Sequence, residues 1–141
     1  MDNFLTLLHP KIVHFPIALF LTASGFEITG LIVRKDSLRQ TAWFLYVFAT
    51  LLTPLVVGTG LWEQDRLHLN HPILDQHKIF ALFTMGVSLV TLPLLWFVKK
   101  KFLKYFHAFF VIILIAISGL VILTAHNGGR MVYEYSVGVE Q

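Results

Sequence analysis

Apolar residues run along the chain in four blocks, at 12–33, 41–62, 79–98 and 104–125, separated by polar connections. A helix crossing a hydrocarbon core of about 30 Å needs about 20 residues at about 1.5 Å each, and every block is long enough. In lipid a backbone must satisfy its own hydrogen bonds, so the blocks predict helices. The pattern predicts an all-α integral membrane protein: four transmembrane helices in one up-down-up-down bundle, a single domain over 1–141. The first block does not read as a cleaved signal, since Glu27 interrupts it and no small-residue cleavage site ends it. No internal repeat and no low-complexity stretch is evident. A short extended tail is expected over 130–141.

Composition agrees with the blocks. Of 141 residues, 56% are hydrophobic and only 13% charged, outside the balance of a soluble domain. The net charge of +3 loses its apparent meaning once charges are sorted by side. The 34–40 and 99–104 connections carry Arg34, Lys35, Arg39, Lys99, Lys100, Lys101 and Lys104 against Asp36, while the opposite side is mixed. Basic short loops stay cytoplasmic, which predicts a multi-pass protein of a bacterial inner membrane with both termini periplasmic. The basic runs are then topology signals and membrane-lipid contacts, and no nucleic-acid partner is expected.

There is no cysteine, so iron–sulfur clusters and covalently attached haem have no ligands here. The chemistry rests on seven histidines. A histidine beside a membrane-length segment needs a metal, a proton to move or a buried partner. The stretch from His9 to Leu19 holds His9, Pro10, His14 and Pro16 at the mouth of helix one. Pro10 suits a helix start, and Pro16 is expected to loosen the entrance. Helix two carries Pro54 and the glycines Gly58 and Gly60, which let a flat group or another helix come close. The connection from Glu63 to Gln76 reads as one long loop, with His68 and His71 facing solvent and His77 opening helix three. Helix four is expected to leave the membrane at His126 and stop at Asn127-Gly128-Gly129.

Three helices thus deliver His14, His77 and His126 to one depth. Bundles hold non-covalent haem b between facing histidines. Phe15, Phe80 and Phe83 would pack it, Gly58 and Gly60 make room, and Lys11, Lys78 and Arg130 meet its propionates. One haem is expected, because paired histidines 13 to 14 residues apart on one helix, the mark of two-haem proteins, are absent. Two other readings stand beside it: histidines that only cap and bridge helix ends, or a zinc or copper site from His14, His77 and His126 with His9. Glu27, an acid inside the bilayer, is expected to pair with His107.

The entrance His9-Pro10 with Val13-His14-Phe15-Pro16-Ile17-Ala18-Leu19, and the C-terminal His126, Gly128-Gly129, Val132-Tyr133 and Gly138-Val139, resemble a family of uncharacterised bacterial four-helix membrane proteins. Tyr135-Ser136 departs from the His-Gly pair usual there. Some members are joined to cytochrome c or Rieske-type domains, which implies outward-facing redox work. With that resemblance the expectation becomes an electron-transfer subunit binding one haem b through two of His14, His77 and His126, with His14 and His126 the favoured pair. It would link a membrane quinone to a periplasmic redox partner or other membrane redox subunits, and would not be a stand-alone enzyme. The alternative is a non-catalytic subunit of a larger membrane complex.

Overall fold

The structure is a computed structural model describing residues 8–137. Five helices follow in order: α1 (Leu8–Ile12), α2 (His14–Ile32), α3 (Asp36–Arg66), α4 (Pro72–Lys101) and α5 (Leu103–Tyr133). α1 and α2 together make the first of four candidate membrane spans. The break falls at Val13, where Pro16 has no N–H to offer the Ile12 carbonyl. Pro54 leaves the Thr50 carbonyl free in the same way inside α3, and the Thr53 hydroxyl donates to it at 2.8 Å.

α2 packs on α3, α3 on α4, α4 on α5 and α5 back on α2, so α2 faces α4 and α3 faces α5 across the diagonals. The faces left outside are apolar. Phe44, Phe48, Leu51 and Leu55 on α3 are all more than half exposed, as suits a surface in contact with lipid.

Several expected boundaries are corrected. α3 runs to Arg66 and α4 starts at Pro72, so the long Glu63–Gln76 loop shrinks to residues 67–71. α4 and α5 are separated by Phe102 alone. α5 passes through Asn127, Gly128 and Gly129 to Tyr133, so the chain does not stop there and 130–133 is helix, not extended tail. Gly138 and Val139 lie outside the described residues. At 31 residues α3 and α5 are each about 46 Å long, well beyond the hydrocarbon core.

The core is densest toward the end that carries Lys99–Lys101. Trp43, Tyr46, Phe106 and Phe110 form an aromatic cluster with ring centres 5.3 to 5.8 Å apart. The Lys99 ammonium lies 4.5 Å from the Trp43 ring centre, so the cluster is closed by a cation–π contact. Tyr46 donates to the Ser88 carbonyl at 3.1 Å and meets the Thr91 hydroxyl at 2.8 Å, tying α3 to α4. Tyr46→Phe is expected to cost about 0.6 to 1.7 kcal/mol, the range of such bonds between membrane helices. Reversible unfolding in bicelles reads it; a loss below about 0.3 kcal/mol would show that the tie contributes nothing.

With one end sealed by aromatic rings, the open space lies at the other.

Candidate functional site

Two histidines enter the bundle at the open end. His9 belongs to α1, the short piece that Pro10 and Pro16 set off. His77 lies in the second turn of α4, which Pro72 opens and His71 caps, its Nδ1 accepting the Ile73 N–H at 3.2 Å.

Each ring is anchored on the membrane span that follows its own. His9 Nδ1 lies 3.0 Å from the Val56 carbonyl oxygen on α3, and His77 Nδ1 lies 2.9 Å from that of Thr124 on α5. A carbonyl only accepts, so both Nδ1 atoms carry the proton and both Nε2 atoms are left over. That is the arrangement by which a protein aims an imidazole at a metal: the backbone bond fixes tautomer and ring, and Nε2 ligates.

Four residues after each carbonyl, one helical turn further on the same face, stands a glycine. A Cβ on Gly60 would lie 2.8 Å from His9 Cε1, and one on Gly128 would lie 3.3 Å from His77 Cε1. Any side chain at 60 would push the ring off its carbonyl.

The two constructions correspond. Histidine and carbonyl are 47 positions apart in both. His77, Thr124 and Gly128 each stand 68 positions after His9, Val56 and Gly60. At the opposite end Arg39 bonds His107, again 68 positions on. Burial follows the same shift: Phe20 and Ser88, Ala42 and Phe110, Tyr46 and Leu114 are buried together. The two helical hairpins thus correspond in position though not in residue type, so the sequence itself carries no repeat. Parallel repeats of this kind are related by an axis along the membrane normal. The histidine pair sits where the two halves meet.

The ring centres of His9 and His77 are 6.3 Å apart, with planes at 86°. Two imidazoles ligating one ion from opposite sides, with metal–nitrogen distances of about 2.0–2.1 Å, put their ring centres about 6 Å apart. The separation fits. Above the pair opens a cavity of about 440 Å³, within the usual range of small-molecule sites, with Glu63, Gln64 and Lys78 among its polar lining. A smaller space of about 50 Å³ shares both histidines and reaches toward Phe20, Thr53, Thr84 and Val121.

The residues expected at the site divide. His77 and Gly60 are in it, together with His9, expected only as an extra ion ligand. His14 is exposed but lines the larger cavity, whereas His126 is exposed and does not line it. The favoured pair of His14 and His126 is thus not brought together on the cavity. Phe15 and Phe83 are 61% and 60% exposed and point to the lipid side; Phe80 is half-buried. Gly58 faces open space, with nothing near a Cβ there. Arg130 is bonded to Glu134 and Tyr135, and Lys78 to Asp75. Lys11 is exposed. His68 is exposed as expected, but His71 caps α4 and packs on Tyr135, 4.7 Å between rings. Among the described residues no three His, Asp or Glu side chains gather into a metal-ion cluster.

The expected Glu27–His107 contact is present at the lysine end, with Glu27 Oε1 2.6 Å from His107 Nδ1.

Residues 6–141 match the model of a family described as a predicted membrane protein, DUF2231. No curated protein and no solved structure matches the chain.

Proposed function

The chain belongs to this family of predicted membrane proteins, and we propose that it is a membrane electron-transfer subunit holding one haem b between His9 and His77. The observation that carries the reading is the pair of neighbouring imidazoles, each fixed through Nδ1 to a helix carbonyl, with ring centres 6.3 Å apart. Bound there, a haem supplies one-electron chemistry between ferric and ferrous iron, with its potential set by its ligands and their hydrogen bonds.

The chain's own residues do the rest. Val56 and Thr124 hold the rings in one tautomer and raise their basicity as ligands. Gly60 and Gly128 keep the space beside the rings free of side chains. The aromatic cluster around Trp43 fills the bundle toward the lysine end, and the cavity lies at the histidine end.

The basic connections support an orientation with the histidine end outward, in a bacterial inner membrane with both termini periplasmic. A membrane quinol is the donor in this reading, giving two electrons in single steps and two protons to the outer water, and a periplasmic redox subunit is the acceptor. A copper ion on the same two imidazoles is the second reading. Two neighbouring imidazoles with no third His, Asp or Glu grouped with them among the described residues favour it over zinc, which takes four.

The test of the electron-transfer role is stopped-flow mixing of the haem-loaded protein, in liposomes, with a short-chain quinol. Reduction by quinol, followed by reoxidation by a soluble cytochrome added outside, is expected. A haem reduced by dithionite but left ferric by quinol would overturn the quinol role.

A further inference from the structure

The lysine end holds a second cluster that the histidine pair does not use. Glu27 of α2 is fully buried, its Oε1 2.6 Å from His107 Nδ1 of α5 and its Oε2 without a partner. The same Nδ1 receives the Arg39 Nε–H of α3 at 3.3 Å. Arg39 is also bonded to Asp36 at 2.8 Å. From α4 the Lys99 ammonium is close enough to feel the Glu27 charge. These are the charged groups facing the carboxyl from all four spans.

One nitrogen cannot both accept from Arg39 and donate to Glu27. If Nδ1 accepts, the 2.6 Å contact requires a proton on Glu27; if Nδ1 carries the proton, the Arg39 N–H faces an N–H. Either way one proton lies between carboxyl and imidazole, because an ionised Glu27 against a bare Nδ1 would repel at that distance. A charged oxygen buried without a partner disfavours the ionised carboxyl, while Arg39 and Lys99 favour it. The His107 side chain is 25% exposed, so the proton has a way to water that Glu27 itself lacks.

We propose that Glu27 and His107 form a proton-exchange site at the lysine end of the bundle, holding one proton between Oε1 and Nδ1 and passing it to and from the water there through His107. When the proton leaves, Oε1–H gives it to Nδ1 as Nε2–H gives its own to water, so the ring changes tautomer, Nδ1–H faces the ionised Glu27, and Arg39 keeps its bond to Asp36. The site lies 18 residues along the first span from His9, about 27 Å away, and is independent of any haem.

Difference infrared spectroscopy of the full chain in lipid nanodiscs tests it, with ¹³C-glutamate to mark the carboxyl. A protonated-carboxyl stretch is expected that shifts in D₂O, is absent from E27Q, and is lost reversibly as pH rises. His107→Gln, which keeps the carboxyl but removes the ring, is expected to keep the band and abolish its titration. The ¹³C shift assigns the band to a glutamic acid, and its persistence in Glu63→Gln, Glu134→Gln and Glu140→Gln leaves Glu27 as its source even if E27Q fails to fold. No glutamic-acid band at any pH would mean a fixed ion pair, and a band that neither titrates nor exchanges in D₂O would mean a sealed structural acid. Either result overturns the proposal.

Discussion

Alanine at His9 or at His77 is expected to abolish the six-coordinate haem spectrum, whereas alanine at His14 or His126 leaves it intact. The reason is facing, not depth. His9 and His77 hold their rings across the bundle with Nδ1 tied to Val56 and Thr124. His14 stands five residues after His9, about 140° further round a helix of 3.6 residues per turn. His126 stands two residues after Thr124, about 160° round α5 from the carbonyl that holds His77, on an exposed face. Each single ligand variant is expected to drop the bound haem at least tenfold, or leave a five-coordinate high-spin form. External imidazole should restore the six-coordinate band in His9→Ala and His77→Ala. A wild-type spectrum in His77→Ala, or its loss in His126→Ala, would remove this ligand assignment.

The second large effect is expected at a residue with no side chain of its own. Gly60→Val puts a branched side chain where even a Cβ comes within 2.8 Å of His9. The ring must leave the Val56 carbonyl, so haem affinity should fall by more than tenfold. Overpacking of this kind costs about 1–3 kcal/mol of stability in addition. Gly128→Ala is expected to be milder, since its Cβ meets His77 at 3.3 Å and the ring can give way by a few tenths of an ångström. Gly58→Val, facing open space, serves as the control and should bind as the wild type does. The measurement is a haem titration followed by visible absorption. Equal affinity in Gly60→Val and Gly58→Val would mean that the ring does not depend on its seat.

The spans were legible because hydrocarbon demands continuous apolar runs, and four such runs are plain from composition. Their ends were not. Asp36–Arg39, Glu63–Arg66 and Asn127–Tyr133 are polar because they stand at or beyond the membrane surface, yet their backbones stay helical, so polarity marks the lipid boundary and not the helix boundary. Gly128-Gly129 reads as a helix stop by residue type; in the bundle its first glycine is the seat of a neighbouring histidine. Depth put His14, His77 and His126 level, but level residues can face opposite ways, and facing comes from the rotation of each helix. His9 was the informative residue. Its shift of 68 to His77 is the shift from Gly60 to Gly128, a correspondence visible in the chain but meaningless until the carbonyls at 56 and 124 give it a geometry. Glu27 and His107 were found from sequence for a simple reason: an acid within an apolar span requires a partner, and His107 lay at its depth.

One haem b per chain on the His9–His77 pair is what the proposed function requires. The most direct measurement is the dithionite-reduced minus oxidised visible spectrum of protein purified from its native membrane, with iron, copper and haem determined on the same sample. A sharp reduced α-band of six-coordinate haem b is expected, with one haem and one iron per chain. A colourless protein with neither haem nor iron would contradict it, and one copper per chain in place of iron would move the assignment to a two-coordinate copper ion on the same two rings.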